Sequence, residues 1–161
     1  MKKILLTIII SSLFFVAYSQ EKQQIYDPNI DANKVLQSAI DKAQKENKHV
    51  FIQIGGNWCP WCIKLHNFYT TNKSLDSLLN ADYVPIVINY SKENKNLDIM
   101  EKFEYPQRFG FPVLIILDSD GRRLHTQNTA YLEAGKGYNE KIFTEFLKSW
   151  NKAALAPEQY K

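Results

Sequence analysis

The 161 residues contain two cysteines, and both fall within Asn57-Trp58-Cys59-Pro60-Trp61-Cys62, separated by two residues. Thiols at this spacing can close a very small disulfide loop that exchanges with other thiols, or supply half of a metal site. A purely structural bridge is the bland alternative, but a link over two residues restricts the unfolded chain far less than a long-range one. For metal, Cys59, Cys62 and His66 give three candidate ligands. A structural zinc site takes four, and the only other histidines are His49 and His125. A c-type haem attachment needs histidine directly after the second cysteine, where Ile63 stands. Redox chemistry leads, with metal binding as the lesser alternative.

The flanking pattern positions the pair. Asp31 suits the N-cap of a helix with apolar residues Val35, Leu36, Ala39, Ile40 and Ala43 and with Lys42, Lys45 and Lys48 toward its end. His49 to Ile54 is a short, mostly apolar run ended by Gly55-Gly56, which predicts a buried strand. From Pro60 onward, Trp61, Leu65, Phe68 and Tyr69 suit a second helix. Cys59 then falls at the N-cap with Pro60 at the first helical position, where its fixed φ and missing amide hydrogen cost nothing. The free amides and positive dipole end of that helix favour a thiolate at Cys59. Cys62, one turn further in and more buried, keeps a higher pKa and suits a resolving thiol.

The remaining chain alternates. Ser74 to Leu79 predicts a short helix capped by Ser74, and Tyr83 to Asn89 a strand with Pro85 near its start. Ser91 to Asn96 reads as a polar loop before a helix through Ile99, Met100 and Phe103. Phe109 to Leu117, the turn Asp118-Ser119-Asp120-Gly121 and the strand Arg122 to Thr126 predict a hairpin. Ile142, Phe143, Phe146, Leu147 and Trp150 mark a C-terminal amphipathic helix.

Residues 1–19 have the form of an export signal: Lys2 and Lys3, an apolar run from Ile4 to Val16, then Ala17-Tyr18-Ser19, predicting cleavage before Gln20. As a membrane anchor the run of about 13 residues is short of the roughly 20 that span a bilayer. Cleavage would take two lysines and no acid from the net charge of +3, leaving a nearly neutral chain with no basic block that calls for nucleic acid or an anionic membrane. Residues 20–161 fit one domain with a sizeable core.

Taken together, these residues resemble the thioredoxin superfamily, specifically its exported thioredoxin-like branch. There a Trp-Cys-x-x-Cys opens a helix and a Gly-x-Pro, here Gly110-Phe111-Pro112, precedes the next strand. The resemblance runs from about Asp31 to Asn151. It implies an α/β thioredoxin fold, a central mixed β-sheet flanked by helices, and a cis proline at Pro112 facing the cysteines. A cis bond there would turn the Phe111 backbone outward to pair with an extended substrate.

The chain departs from the family pattern in two places. A buried carboxylate is expected six residues ahead of the first cysteine as a proton relay, and Gln53 occupies that position; an amide does not titrate at working pH. Pro60-Trp61 between the cysteines puts no positive charge beside the sulfurs, which predicts an intermediate potential. Lys64 and His66 are read as surface or half-packed side chains, and Glu101 and Glu104 as too remote to relay protons. Trp58 and Trp61 either form an apolar platform for peptides or pack on the loop.

The leading expectation is a thiol-disulfide oxidoreductase, periplasmic or secreted, with Cys59 attacking and Cys62 resolving, acting as reductase or isomerase more than net oxidase. Trp58, Pro60, Trp61, Phe111 and Pro112 would contact substrate. It would need no cofactor and no metal. Its partners would be protein disulfides or thiols and a redox partner dithiol, with a monomer as the default and membrane contact only through an uncleaved signal. The alternatives are a peptide-binding module on the same scaffold, with the cysteines secondary, and a metal-binding protein.

Overall fold

The computed structural model describes residues 24–161; the expected signal segment and its cleavage point lie outside the described residues. A helix α1, Ala32–Glu46, leads into strand β1, His49–Gly55. Asp31 caps α1, its Oδ1 accepting from the amides of Asn33 at 3.1 Å and Lys34 at 3.2 Å, which satisfies two of the free amides of a helix start. At the other end Asn47 takes the left-handed conformation with φ 56°, and the amide of Lys48 bonds the Ala43 carbonyl at 2.9 Å. That closure turns the chain directly into β1.

After β1 come helices α2, Pro60–Thr71, and α3, Lys73–Asp82, then strand β2, Tyr83–Asn89, and the short helix α4, Leu97–Lys102. Strands β3, Val113–Leu117, and β4, Arg123–Asn128, precede a two-stranded ribbon of β5, Glu133–Ala134, and β6, Gly137–Tyr138, and the final helix α5, Glu140–Ser149. The main sheet has the order β2-β1-β3-β4. β1 pairs in parallel with β2 and antiparallel with β3, and β3 pairs antiparallel with β4. The sheet is therefore mixed, with β1 central. Pro85 lies opposite Phe51 on the edge strand β2, where its missing donor costs no interior ladder bond.

Side chains alternate across a strand, and here the two faces support two separate cores. Val50, Ile52, Ile54, Val113, Ile115 and Leu117 meet α1 and α4 through Leu36, Ala39, Ile99 and Met100. Phe51, Leu114 and Ile116 meet α2, α3 and α5 through Leu65, Leu75, Phe143 and Leu147. All seven residues of β1 are buried. Gln53 shares the Phe51 face by the same alternation, and so lies under α2.

Several expected boundaries shift for local reasons. Asn72, not Ser74, caps α3: its Oδ1 accepts from the amides of Ser74 at 3.0 Å and Leu75 at 3.3 Å, so the helix begins one residue before the serine. α4 ends at Lys102, with Phe103 as its cap. Only Val113–Leu117 of the apolar run from Phe109 is strand, because Pro106–Phe109 forms a 3-10 turn. The partner strand begins at Arg123, since Arg122 is held in the turn with its amide on Asp118 Oδ1 at 2.9 Å and its Nε on Oδ2 at 2.7 Å.

Phe143 is fully buried and meets Phe51, Phe68 and Tyr69 ring to ring. Phe143→Ala is expected to cost about 3–5 kcal/mol, read from the urea midpoint. His49 is buried, with Nδ1 donating to the Trp150 carbonyl at 2.8 Å. Burial holds its pKa below the ordinary 6.5, against the opposing pull of that hydrogen bond. The folded state thus binds fewer protons than the unfolded chain, and the stability His49 contributes is complete above about pH 6.5 and lost as pH falls through the folded value. In urea titrations below pH 6.5, His49→Asn should show a shallower fall than the unmodified chain.

Candidate active site

Two residues past β1 the chain turns at Asn57-Trp58 and enters α2 at the cysteines. Cys59 is the N-cap: its backbone is extended, Pro60 occupies the first turn, and its Sγ accepts from the Cys62 amide at 3.2 Å. Its carbonyl takes the amides of Cys62 at 3.0 Å and Ile63 at 3.3 Å. Cys59 and Cys62 are joined in a disulfide with Cα atoms 5.2 Å apart. Cys62 is fully buried, while Cys59 keeps 4 % of its surface. The cysteine with residual exposure is thus the one whose sulfur accepts a helix-end amide.

Gly55, at the end of β1, lets α2 approach this closely. A Cβ at that position would lie 2.5 Å from Cys62 Sγ and 2.9 Å from Tyr26 Oη, so any side chain would displace the disulfide. Gln53, two residues earlier and fully buried, sends Nε2 to the Cys62 carbonyl at 3.0 Å and to the Tyr26 hydroxyl. Its Oε1 is buried with no partner. The relay position therefore holds an amide that fixes the backbone of Cys62 and orients a phenol.

Tyr26 is the site residue that sequence reading missed. It precedes the first helix, yet it is 1 % exposed and clusters with Cys59 and Cys62. Asn57 holds it there. Asn57 Oδ1 accepts from the amides of Ile25 at 2.9 Å and Tyr26 at 3.0 Å, while Nδ2 donates to the Tyr26 carbonyl at 2.6 Å and to Gln24 Oε1 at 2.7 Å. Burial pushes the Tyr26 phenol above its ordinary pKa, with the Gln53 hydrogen bond opposing weakly. It stays neutral at any working pH. An asparagine beside the cysteines, able to clamp a neighbouring backbone segment through both the oxygen and the nitrogen of its side-chain amide, was the available signal.

The expected substrate-contact residues divide. Trp58 is 55 % exposed, its Nε1 donating to the Tyr90 carbonyl at 2.7 Å and its ring meeting Phe111 edge-on at 5.6 Å. Phe111 also packs on Tyr90 at 4.8 Å and against the cysteine cluster. Trp61 instead packs edge-on against Tyr138 at 5.4 Å. Pro60 is exposed, and Pro112 is buried with its carbonyl accepting from Thr129 Oγ1 at 2.6 Å. The Phe111-Pro112 peptide is cis, as the resemblance implied. Gly110 before it has φ +84°, a backbone angle that suits glycine.

Lys64 is more than solvated surface: its Nζ sits 4.4 Å from the Trp61 ring centroid and donates to the Lys136 carbonyl at 2.6 Å. His66 turns to the Tyr69 hydroxyl, 2.9 Å from Nδ1, and burial lowers its pKa. Glu104 pairs with Arg123, away from the disulfide. Among the described residues no group of three or more histidine, cysteine or acidic side chains is placed to hold a metal ion, and no helix is long and apolar enough to cross a membrane.

A cysteine-capped helix packed on a four-stranded mixed sheet, with a cis proline entering the adjacent strand, defines a thioredoxin fold. The family model of the thioredoxin-like domain matches residues 36–136, and the chain belongs to that family. Its fold is similar to that of a disulphide isomerase from Xylella fastidiosa Temecula1, at 20% identity, a TM-score of 0.69 and coverage of 79% of this chain and 96% of that one. The oxidised C-terminal domain of DsbD from Neisseria meningitidis gives a TM-score of 0.51 at 14% identity over 75% of this chain and 97% of that domain. In sequence, human spermatogenesis-associated protein 20 is 34% identical over 67 residues, 42% of this chain. The mouse protein of that name is 33% identical over 67 residues. The chain spans 8% of the length of those two curated relatives.

Asn57→Ala removes all four bonds that hold residues 24–26 to the motif. It is expected to cost roughly 1–3 kcal/mol in urea unfolding and to accelerate amide exchange at Ile25 and Tyr26.

Proposed function

We propose that the protein is a thiol-disulfide oxidoreductase acting on protein disulfides and dithiols outside the cytoplasm, with Cys59 as nucleophile and Cys62 as resolving thiol. The observation that carries this is the disulfide at the start of α2, one cysteine at the helix N-cap with its sulfur accepting the Cys62 amide and 4 % of the residue exposed, the other fully buried against β1. Amides and helix dipole stabilise a thiolate at Cys59. In the reduced protein that thiolate attacks a substrate disulfide and releases one substrate thiolate. Cys62 then attacks Cys59 in the mixed disulfide, restoring the Cys59–Cys62 bond and leaving the substrate as a dithiol. A partner dithiol returns the two electrons.

The uncharged Pro60-Trp61 pair supports reduction or isomerisation over net oxidation, since no cation between the sulfurs adds to thiolate stabilisation. Trp58, Pro60 and the Phe111-Pro112 segment form the substrate-facing side in this reading. The N-terminal sequence, with its basic head, apolar run and small residues before Gln20, supports residues 1–19 as an export signal and residues 20–161 as the working domain, in the periplasm or secreted. Partners are proteins with disulfides or thiols and one redox dithiol, and no bound cofactor is required.

A second reading has its own observation. Exposed Trp58 borders a cavity of about 720 Å³ with Tyr90, Asn57 and Lys92, and such a surface suits a peptide-binding module in which the cysteines are secondary.

The mature chain should reduce insulin and refold scrambled protein, and Cys59→Ser should abolish both activities. Cys62→Ser should accumulate mixed disulfides on Cys59, whose captured partners name the substrate. Activity retained in Cys59→Ser would remove the mechanism, and partner binding unchanged in that variant would favour the binding module.

A further inference from the structure

The disulfide lies against a buried phenol that the exchange chemistry outlined above does not use. We propose that Tyr26 is the hydrogen-bond donor to the Cys62 thiolate, held in place by Gln53 and supplying the polar partner that a relay carboxylate would otherwise provide. This rests on the oxidoreductase reading of the site and extends it to how the resolving sulfur is tuned.

The argument begins at the Gln53 amide. The Cys62 carbonyl can only accept, so the group facing it at 3.0 Å is the Nε2 donor. The same Nε2 meets the Tyr26 hydroxyl, which must therefore accept there and point its own proton elsewhere. Among the described residues that hydroxyl donates no hydrogen bond, although Tyr26 is 1 % exposed. The sulfur of Cys62 and the oxygen of Tyr26 converge on Gly55, within 2.5 and 2.9 Å of the same point beside its Cα. A hydroxyl with an uncommitted proton thus stands no more than about 5.4 Å from the fully buried Cys62 sulfur, which becomes negatively charged when the disulfide opens.

The charge arises in a balanced step. A partner thiolate attacks Cys59 Sγ and a sulfur-sulfur bond forms between them. The Cys59–Cys62 bond breaks, and its electron pair stays on Cys62 Sγ. The partner's second thiolate then attacks its own sulfur in the mixed disulfide, leaving the partner oxidised and both cysteines reduced. Tyr26 keeps its proton throughout and lends it as a hydrogen bond. A buried thiolate without a donor is costly, and a leaving thiol of lower pKa departs faster.

The surroundings leave this role to Tyr26. Apart from Cys62, the titratable groups near the disulfide are Cys59 at the N-cap of α2 and Tyr26 itself. Beyond them stand Tyr69 and His66 on α2, which bond each other, and Tyr138 on β6. β1 contributes Gln53, β2 contributes Val87, and Phe111 closes the remaining side. Burial holds the phenols of Tyr26, Tyr69 and Tyr138 above their ordinary pKa, so they remain donors and never bases at working pH.

The test reads the Cys62 pKa directly. In a Cys59→Ser chain, Cys62 is the only thiol, and its Cβ shift in cysteine labelled with carbon-13 reports ionisation by NMR. Adding Tyr26→Phe should raise that pKa by about one unit, a tenfold loss of thiolate at a given pH. In the chain with both cysteines, Tyr26→Phe should slow reduction of the disulfide by dithiothreitol by a comparable factor. If Tyr26→Phe does not fold, a ring-fluorinated tyrosine at position 26, whose more acidic phenol donates more strongly, should lower the pKa below that of the parent. An unchanged Cys62 pKa in a folded Tyr26→Phe chain, or in the fluorinated chain, overturns the proposal. These titrations need no enzymatic turnover, so a chain inactive toward protein disulfides would remove the oxidoreductase reading while leaving the Tyr26 result to be judged separately.

Discussion

The site depends on a close approach: the first turn of α2 rests directly on the backbone of β1 at Gly55, where a side chain would meet Cys62 Sγ at 2.5 Å. Because that glycine ends a strand buried along its whole length, the contact is fixed on one side by the sheet ladders to β2 and β3. On the other it is fixed by α2, anchored through Leu65 and Tyr69 to the core with Phe51 and Phe143. Interiors packed at this density transmit displacement and do not absorb it. The disulfide therefore inherits its position from two elements that are rigid for other reasons. The local sequence has only to keep the contact clear.

That arrangement explains why a polar residue can occupy the middle of β1. Gln53 sits where alternation directs a side chain toward α2, in a strand that after His49 is otherwise apolar, and its two donor contacts are met by the Cys62 carbonyl and Tyr26. The amide cannot carry a proton to or from sulfur. It can hold the helix turn and a phenol in register, which is a positioning role. Its Oε1 is left buried without a partner, and such an atom costs on the order of 1–3 kcal/mol. A leucine there would avoid that cost but would leave the buried Tyr26 hydroxyl without its partner and take a donor from the Cys62 carbonyl.

Much of this was legible in the sequence, and the parts that were not share a cause. The helix cap at Asp31, the buried strand before Gly55, Pro60 at the start of α2 and the hairpin around Asp118-Gly121 each depend on residues within a few positions of one another. Propensity and periodicity report those directly. Asn72 displaced Ser74 as a cap because both residues suit the role and only the backbone decides. Tyr26 was invisible for a different reason. It belongs to an irregular segment, and its partners Gln53, Asn57 and Cys62 are all 27 or more positions away in sequence. Periodicity carries no information about such contacts. Gln53 was noticed as a departure at a known position, but its donors could be assigned only once the Cys62 carbonyl was placed.

The two tryptophans of the motif show how one short segment is divided between scaffold and surface. Trp61 is committed inward: Tyr138 meets its ring edge-on and sends its hydroxyl to the Trp61 carbonyl at 3.3 Å, while Lys64 covers the other side. These contacts tie the turn between the cysteines to β6, so the loop closed by the disulfide stays in one geometry. Trp58 is held only by its indole nitrogen on Tyr90 and an edge on Phe111, and more than half of it faces solvent. An exposed indole with a fixed orientation offers apolar area at little further entropic cost. With Cys62 sealed, an incoming sulfur can reach the disulfide only at Cys59, between exposed Trp58 and exposed Pro60. In the oxidoreductase reading proposed above, the same packing that buries one sulfur decides both where a partner binds and which sulfur it attacks.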